Sequence, residues 1–143
     1  MRDAMTSARY VLALCADEGT PVNNWRLQRI LYALQGAFYR AFQRPCFSDA
    51  FEAWACGPVV PAVYYAYCAA GASPIARPAE DASACFAGDE KKTADEVIRQ
   101  KGALHPWYLE RDVKKEGRAW ALTWQNGAGR GVVIPDERIR TEG

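Results

Sequence analysis

The chain has 143 residues, half of them hydrophobic and 24% charged, the size and balance of one soluble domain that folds without a disulfide or metal staple. Eighteen Lys and Arg face 17 Asp and Glu, evenly apportioned on either side of Cys85, so the basic excess usual in a nucleic-acid binder is absent. A single histidine, His105, excludes many metal and imidazole acid/base arrangements. The five cysteines, Cys15, Cys46, Cys56, Cys68 and Cys85, never fall in C-x-x-C spacing and read as reduced core thiols, so no metal or cofactor is expected. The segment Met1-Arg2-Asp3-Ala4-Met5-Thr6 lacks the charged and apolar regions of a signal peptide, and the expected location is the cytoplasm.

The first predicted helix carries the stripe Ala8, Val11, Leu12, Cys15 and Ala16, with Thr6 or Ser7 as its cap and Gly19 as its stop. The second is capped by Asn24 and keeps Leu27, Ile30, Leu31, Leu34, Phe38, Ala41 and Phe42 at helical spacing until Pro45. Gly36 inside it costs about 1 kcal/mol against alanine, which predicts a close-packed neighbour there. Around Phe51-Glu52-Ala53-Trp54 the period changes to two, predicting a short strand whose partner is Val132-Val133-Ile134.

No charge occurs from Ala53 to Ala76, but Gly57, Pro58, Pro61, Gly71 and Pro74 punctuate that stretch, so it reads as a corner and a short buried helix rather than a membrane span. The helix carries Val60, Val63, Tyr64, Tyr67 and Cys68 on one face and ends at Gly71, and residues 72–88 form a loop. Thr93-Ala94-Asp95-Glu96 fits a capping box for a helix through Lys101, with Asp89 as the cap of a longer version. His105 caps a further helix with Pro106 at its first position, running to about Glu116. Trp120 and Trp124 share a helical face, and Gly127-Ala128-Gly129-Arg130-Gly131 is a turn, since it opens no helix that would favour a phosphate. The expected fold is a single domain over 1–143, mainly α: a bundle of about five to six short helices with a small two-stranded β element.

Few residues carry a chemical signal. The acidic doublets at 17–18, 80–81, 89–90, 95–96 and 136–137 suit helix starts and solvent. Glu52 differs, because apolar neighbours flank it; its carboxylate needs a partner such as Arg26 or Arg29, or lies at a binding surface. The stripe Gln28, Tyr32, Gln35 and Tyr39 beside the core face of the second helix either ties down neighbouring loops or forms a recognition surface.

Two blocks carry a family likeness: Asn24-Trp25-Arg26-Leu27-Gln28-Arg29-Ile30-Leu31-Tyr32-Ala33-Leu34-Gln35-Gly36, and Phe51-Glu52-Ala53-Trp54-Ala55-Cys56-Gly57-Pro58-Val59-Val60-Pro61-Ala62-Val63-Tyr64. The chain resembles the Panacea domain family of SocA-like antitoxins and phage-associated proteins. The family's threonine-histidine pair ahead of a tryptophan in the penultimate helix is missing: Trp120 fits, but no histidine precedes it in the stretch from Leu109. The resemblance implies an antitoxin of a bacterial or prophage toxin-antitoxin system. Such a protein neutralises a cognate toxin by direct contact and, in one branch, delivers it to a Clp-type protease.

The resulting expectation is a binding protein, not an enzyme, whose partner contacts are Gln28, Tyr32, Gln35, Glu52 and Trp54, with Gly57, Pro58 and Pro61 shaping the corner that presents them. Neither nucleic acid nor membrane is an expected partner. The alternative from another class is a small hydrolase or transferase using Glu52 as acid/base.

Overall fold

Helix α2, Asn24–Phe42, is the axis of the molecule, and its apolar stripe explains why. Leu27, Ile30, Leu31, Leu34 and Phe38 are all fully buried, each contributing about 1.5–3 kcal/mol through loss of water contact. The computed structural model describes residues 2–142, and among them six further α-helices and one β-hairpin surround this stripe. They are α1 (Ala4–Asp17), α3 (Pro61–Tyr67), α4 (Gly88–Ala103), α5 (Pro106–Val113), α6 (Ala119–Trp124) and α7 (Asp136–Glu142), with β1 (Glu52–Trp54) and β2 (Gly57–Val59). Contacts run from α2 to α1, α3, α4, α5, α7 and β2. The fold is mainly α, as the sequence suggests, with α7 as the helix the periodicity does not show.

Several boundaries differ from the sequence reading. The cap of α1 is Asp3, whose carboxylate accepts from the Thr6 N–H at 2.8 Å, so Thr6 and Ser7 lie inside the helix. Asn23, not Asn24, caps α2 by accepting from the Arg26 N–H; Asn24 turns inward and donates to the Tyr64 carbonyl at 2.9 Å. Helix α4 is the longer version, beginning at Gly88 with no side-chain cap, which places Thr93 in its interior. Helix α5 starts at His105, whose Nδ1 accepts from the Trp107 N–H, but stops at Val113 rather than near Glu116.

Gly36 has no close-packed neighbour. A Cβ there would meet only the Arg40 guanidinium of its own helix, at 3.3 Å, and the glycine instead lines a cleft. Of the cysteines, Cys15 and Cys46 are buried thiols, whereas Cys68 is exposed on the 3-10 turn Cys68–Ala70 that ends α3. The uncharged stretch forms the hairpin and the seven residues of α3, which buries only Val63 and so is a surface helix rather than the buried one expected, and no helix among the described residues is long and apolar enough to cross a membrane.

Charges pair across the helices rather than facing solvent alone. Glu90 accepts from Arg2 and Arg44 at 2.6 and 2.5 Å, and Asp95 from the Tyr10 hydroxyl and Lys91 at 2.5 and 2.7 Å. Arg2 also lies over the Phe86 ring, 4.5 Å from its centre, and so fastens the chain start to the loop before α4.

Candidate functional site

The hairpin is short because only two residues, Ala55 and Cys56, join its strands, and the antiparallel register pairs Glu52 with Val59, Ala53 with Pro58 and Trp54 with Gly57. A proline and a glycine in a strand ordinarily argue against pairing. Here the loss is avoided, because Ala53 turns its backbone the other way: its N–H donates to the Val132 carbonyl at 2.9 Å and its carbonyl accepts from the Gly131 N–H at 2.8 Å. Pro58 therefore sits opposite a residue that asks nothing of it. The segment expected as the partner of β1, Val132-Val133-Ile134, does flank its second edge, through a bridge from Glu52 to Val133, while β2 pairs with the first. Phe51 and Ala53 are buried while Glu52 and Trp54 are half-exposed, the alternation read from the sequence.

Helix α2 holds this hairpin by three side chains. The Oε1 of Gln28 accepts from the Val60 N–H at 2.9 Å, at the residue that precedes Pro61 and α3. Gln35 accepts from the Cys46 N–H at 2.7 Å and donates to the Phe47 carbonyl at 3.2 Å, fixing the approach to β1. Arg29, 1% exposed, donates to the Cys56 and Pro58 carbonyls at 2.5 and 2.9 Å and lies 5.3 Å from the centre of the Trp25 ring. Burial lowers its pKa, but a guanidinium stays charged at neutral pH. Gly57 makes the approach possible: its φ is +122°, and a Cβ would fall 2.5 Å from the Arg29 guanidinium.

The five residues expected to contact a partner therefore separate into two groups. Gln28, Tyr32 and Gln35 are buried, with their polar atoms satisfied inside the fold, so they position the hairpin and its neighbours instead of forming a contact surface. The physical reason is that α2 is covered on nearly every side, leaving its polar stripe to satisfy loop backbone. Burial, together with the Glu142 carboxylate at 3.0 Å, raises the Tyr32 pKa. Glu52 and Trp54 reach the surface.

Neither Arg26 nor Arg29 pairs with Glu52. Arg26 donates to the carbonyls of Lys101 and Leu104 at the end of α4, at 3.0 and 2.5 Å, where a cation suits the helix terminus. Glu52 Oε1 accepts instead from Trp54 Nε1 at 3.0 Å, a neutral partner that leaves the charge free toward solvent.

Trp54 packs edge-on against Tyr64 with ring centres 5.0 Å apart, and lies 5.9 Å from Tyr65. Its carbonyl accepts from Trp120 Nε1 at 2.9 Å, and Trp120 stacks on Trp124, so the backbone that carries the half-exposed ring is fastened to an aromatic pair. Tyr65 is 63% exposed, and Val132 and Val133 beside β1 are each 50% exposed. Trp54, Tyr65, Cys56 and Arg130 line a shallow depression of about 490 Å³. The sequence does not mark Tyr65, Arg130 and the valines as surface; the available signal for Tyr65 is its place on α3 off the face that carries Val60, Val63 and Tyr67. The surface unites apolar area, one free carboxylate and one guanidinium, the composition of a protein contact.

A model of the family described as Antitoxin SocA-like, Panacea domain, matches residues 27–121, which take in the hairpin, α3 and Trp120. Antitoxin SocA of Caulobacter vibrioides (strain NA1000 / CB15N) is 39% identical over 69 residues, covering 48% of this chain and 37% of that protein. The chain thus matches little more than a third of that relative's length. No solved structure matches it significantly.

Proposed function

The chain belongs to the Antitoxin SocA-like, Panacea domain family, and from that premise we propose that it neutralises a cognate toxin protein by direct contact, without chemistry or cofactor of its own. The observation that supports this most is the surface cluster of exposed Tyr65 with half-exposed Trp54 and Glu52, held in place by buried side chains of α2 and by Trp120. Aromatic and arginine anchors in a preformed patch are what a protein interface of about 1,600 Å² uses to concentrate its binding energy. Glu52 is bonded to a neutral indole rather than to a second titratable group, which favours recognition over its alternative use as an acid/base.

The test is co-expression with the product of the adjacent gene. The intact chain is expected to restore growth, and a Trp54→Ala, Tyr65→Ala double variant with unchanged melting temperature is expected to lose that rescue. A neighbouring product that is harmless, or whose toxicity this chain does not relieve, refutes the reading. Delivery of the toxin to a Clp-type protease is a finer form of the same proposal. It requires a second contact, and the exposed Trp107–Tyr108 pair on α5 supports it. Toxin half-life in cells lacking the protease distinguishes delivery from simple occlusion.

A further inference from the structure

Between α2, α4, α5 and the end of α7 lies a cleft of about 180 Å³ whose lining includes Arg29, Arg40, Lys101 and Arg118. Six cations elsewhere, Arg2, Arg44, Arg77, Lys91, Arg99 and Lys114, each have a carboxylate partner. Among the described residues, none of the four cleft cations has one within 4.0 Å, although Asp112 and Glu142 line the same cleft. Four cations against two carboxylates leave an excess of positive charge here in a chain whose net charge is +1.

Two details show what the cleft accepts. The Glu142 carboxylate reaches it and is held by neutral donors, the Tyr32 hydroxyl at 3.0 Å and the Ala119 N–H at 2.5 Å, so the fold already places one carboxylate at its rim. The Nε–H of Arg29 is buried with no acceptor, a donor left unsatisfied at a cost no other described side chain bears. The space is smaller than the roughly 300 Å³ at which pockets for whole small molecules begin, so it fits one side chain or a small oxyanion.

We propose that this cleft receives an aspartate or glutamate side chain from an acidic segment of the protein partner. The partner's identity as a toxin rests on the function proposed above, but the site itself is tested without it. The probe is a fluorescein-labelled hexaglutamate peptide, titrated by anisotropy against the full chain at low and at physiological salt.

Saturable binding is expected. Arg40→Gln with Lys101→Gln, whose side chains make no hydrogen bond in the fold, is expected to weaken it about tenfold, while Lys92→Gln with Arg111→Gln, outside the cleft, changes it less than about twofold. Glu142→Gln removes the resident charge while keeping one of its two acceptor oxygens, and is expected to tighten binding about threefold. Absence of saturable binding, equal loss in the two double variants, no loss in either, or full displacement by millimolar inorganic phosphate overturns the proposal. So does weaker or unchanged binding in Glu142→Gln. Each of these failures leaves growth rescue by the intact chain unaffected, so the site and the antitoxin role stand or fall separately.

Discussion

Replacing Gln35 with leucine is expected to lower the melting temperature by about 10 °C, because the amide is a backbone bracket. Leucine nearly matches its volume, so no cavity opens and the loss is confined to hydrogen bonds. The Cys46 and Phe47 N–H groups, 2.7 and 3.3 Å from Oε1, and the Phe47 carbonyl, 3.2 Å from Nε2, are left unsatisfied in the interior. Each orphaned group costs about 1–3 kcal/mol, about 3 kcal/mol for the three after partial relaxation. A chain of 143 residues unfolds with an entropy of about 0.3 kcal/mol/K, which converts that cost to the stated shift. Thermal denaturation followed by circular dichroism measures it, with Gln100→Leu on the exposed side of α4 as a control expected to move by only 1–2 °C or so. Amide exchange adds a local reading: Cys46 and Phe47 are expected to lose protection first. A shift below about 2 °C with both amides still protected would refute the reasoning and return Gln35 to the class of partner contacts.

Gly57→Ala is expected to destabilise by more than about 2 kcal/mol, since it combines a positive φ with a clash at Arg29, whereas Gly71→Ala, at φ +59° with open space around it, costs only about 1 kcal/mol; urea midpoints compare the two. Acid is expected to weaken the fold through Glu90 and Asp95. Burial pushes both pKa values up, but the hydrogen bonds from Arg2 and Arg44 to Glu90, and from Lys91 and Tyr10 to Asp95, outweigh it and hold both below their ordinary values of 4.5 and 3.8. Their stabilisation is complete above about pH 4.5 and is lost as the pH falls through the depressed values, so a Glu90→Gln, Asp95→Asn variant is expected to melt at a temperature less dependent on pH in that range. Thiol titration is expected to label Cys68 promptly, while Cys46 and Cys15, pushed by burial to about 12 and about 11, react only on unfolding.

What the sequence revealed follows from periodicity, and what it concealed follows from the backbone. The stripe on α2 is unmistakable because seven apolar positions keep one face. Helix α7 has a single fully buried residue, Ile139, among charged neighbours, which leaves no period to detect. The sequence points to an arginine as the partner of Glu52, yet both candidates bind carbonyl groups, which every residue possesses and no sequence pattern marks. Glutamines 28 and 35 present the same difficulty: buried amides satisfying loop backbone look in sequence like amides awaiting a partner. Trp54 and Glu52 were legible as surface because strand alternation places them opposite Phe51 and Ala53.

The bond from Tyr32 to Glu142 joins residues 110 positions apart, and α7 packs on the same central helix. During synthesis α2 leaves the ribosome long before the segment that covers its far side. At about 5–20 residues per second, that helix waits many seconds with Tyr32 and its neighbours uncovered. A nascent chain cut short anywhere in the last quarter thus lacks a cover for its own axis, and the cell's proteases and chaperones meet it as an unfinished protein. The supply of new folded chain is set by completed translation, and a halt in protein synthesis stops that supply without any change in the folded molecules already made.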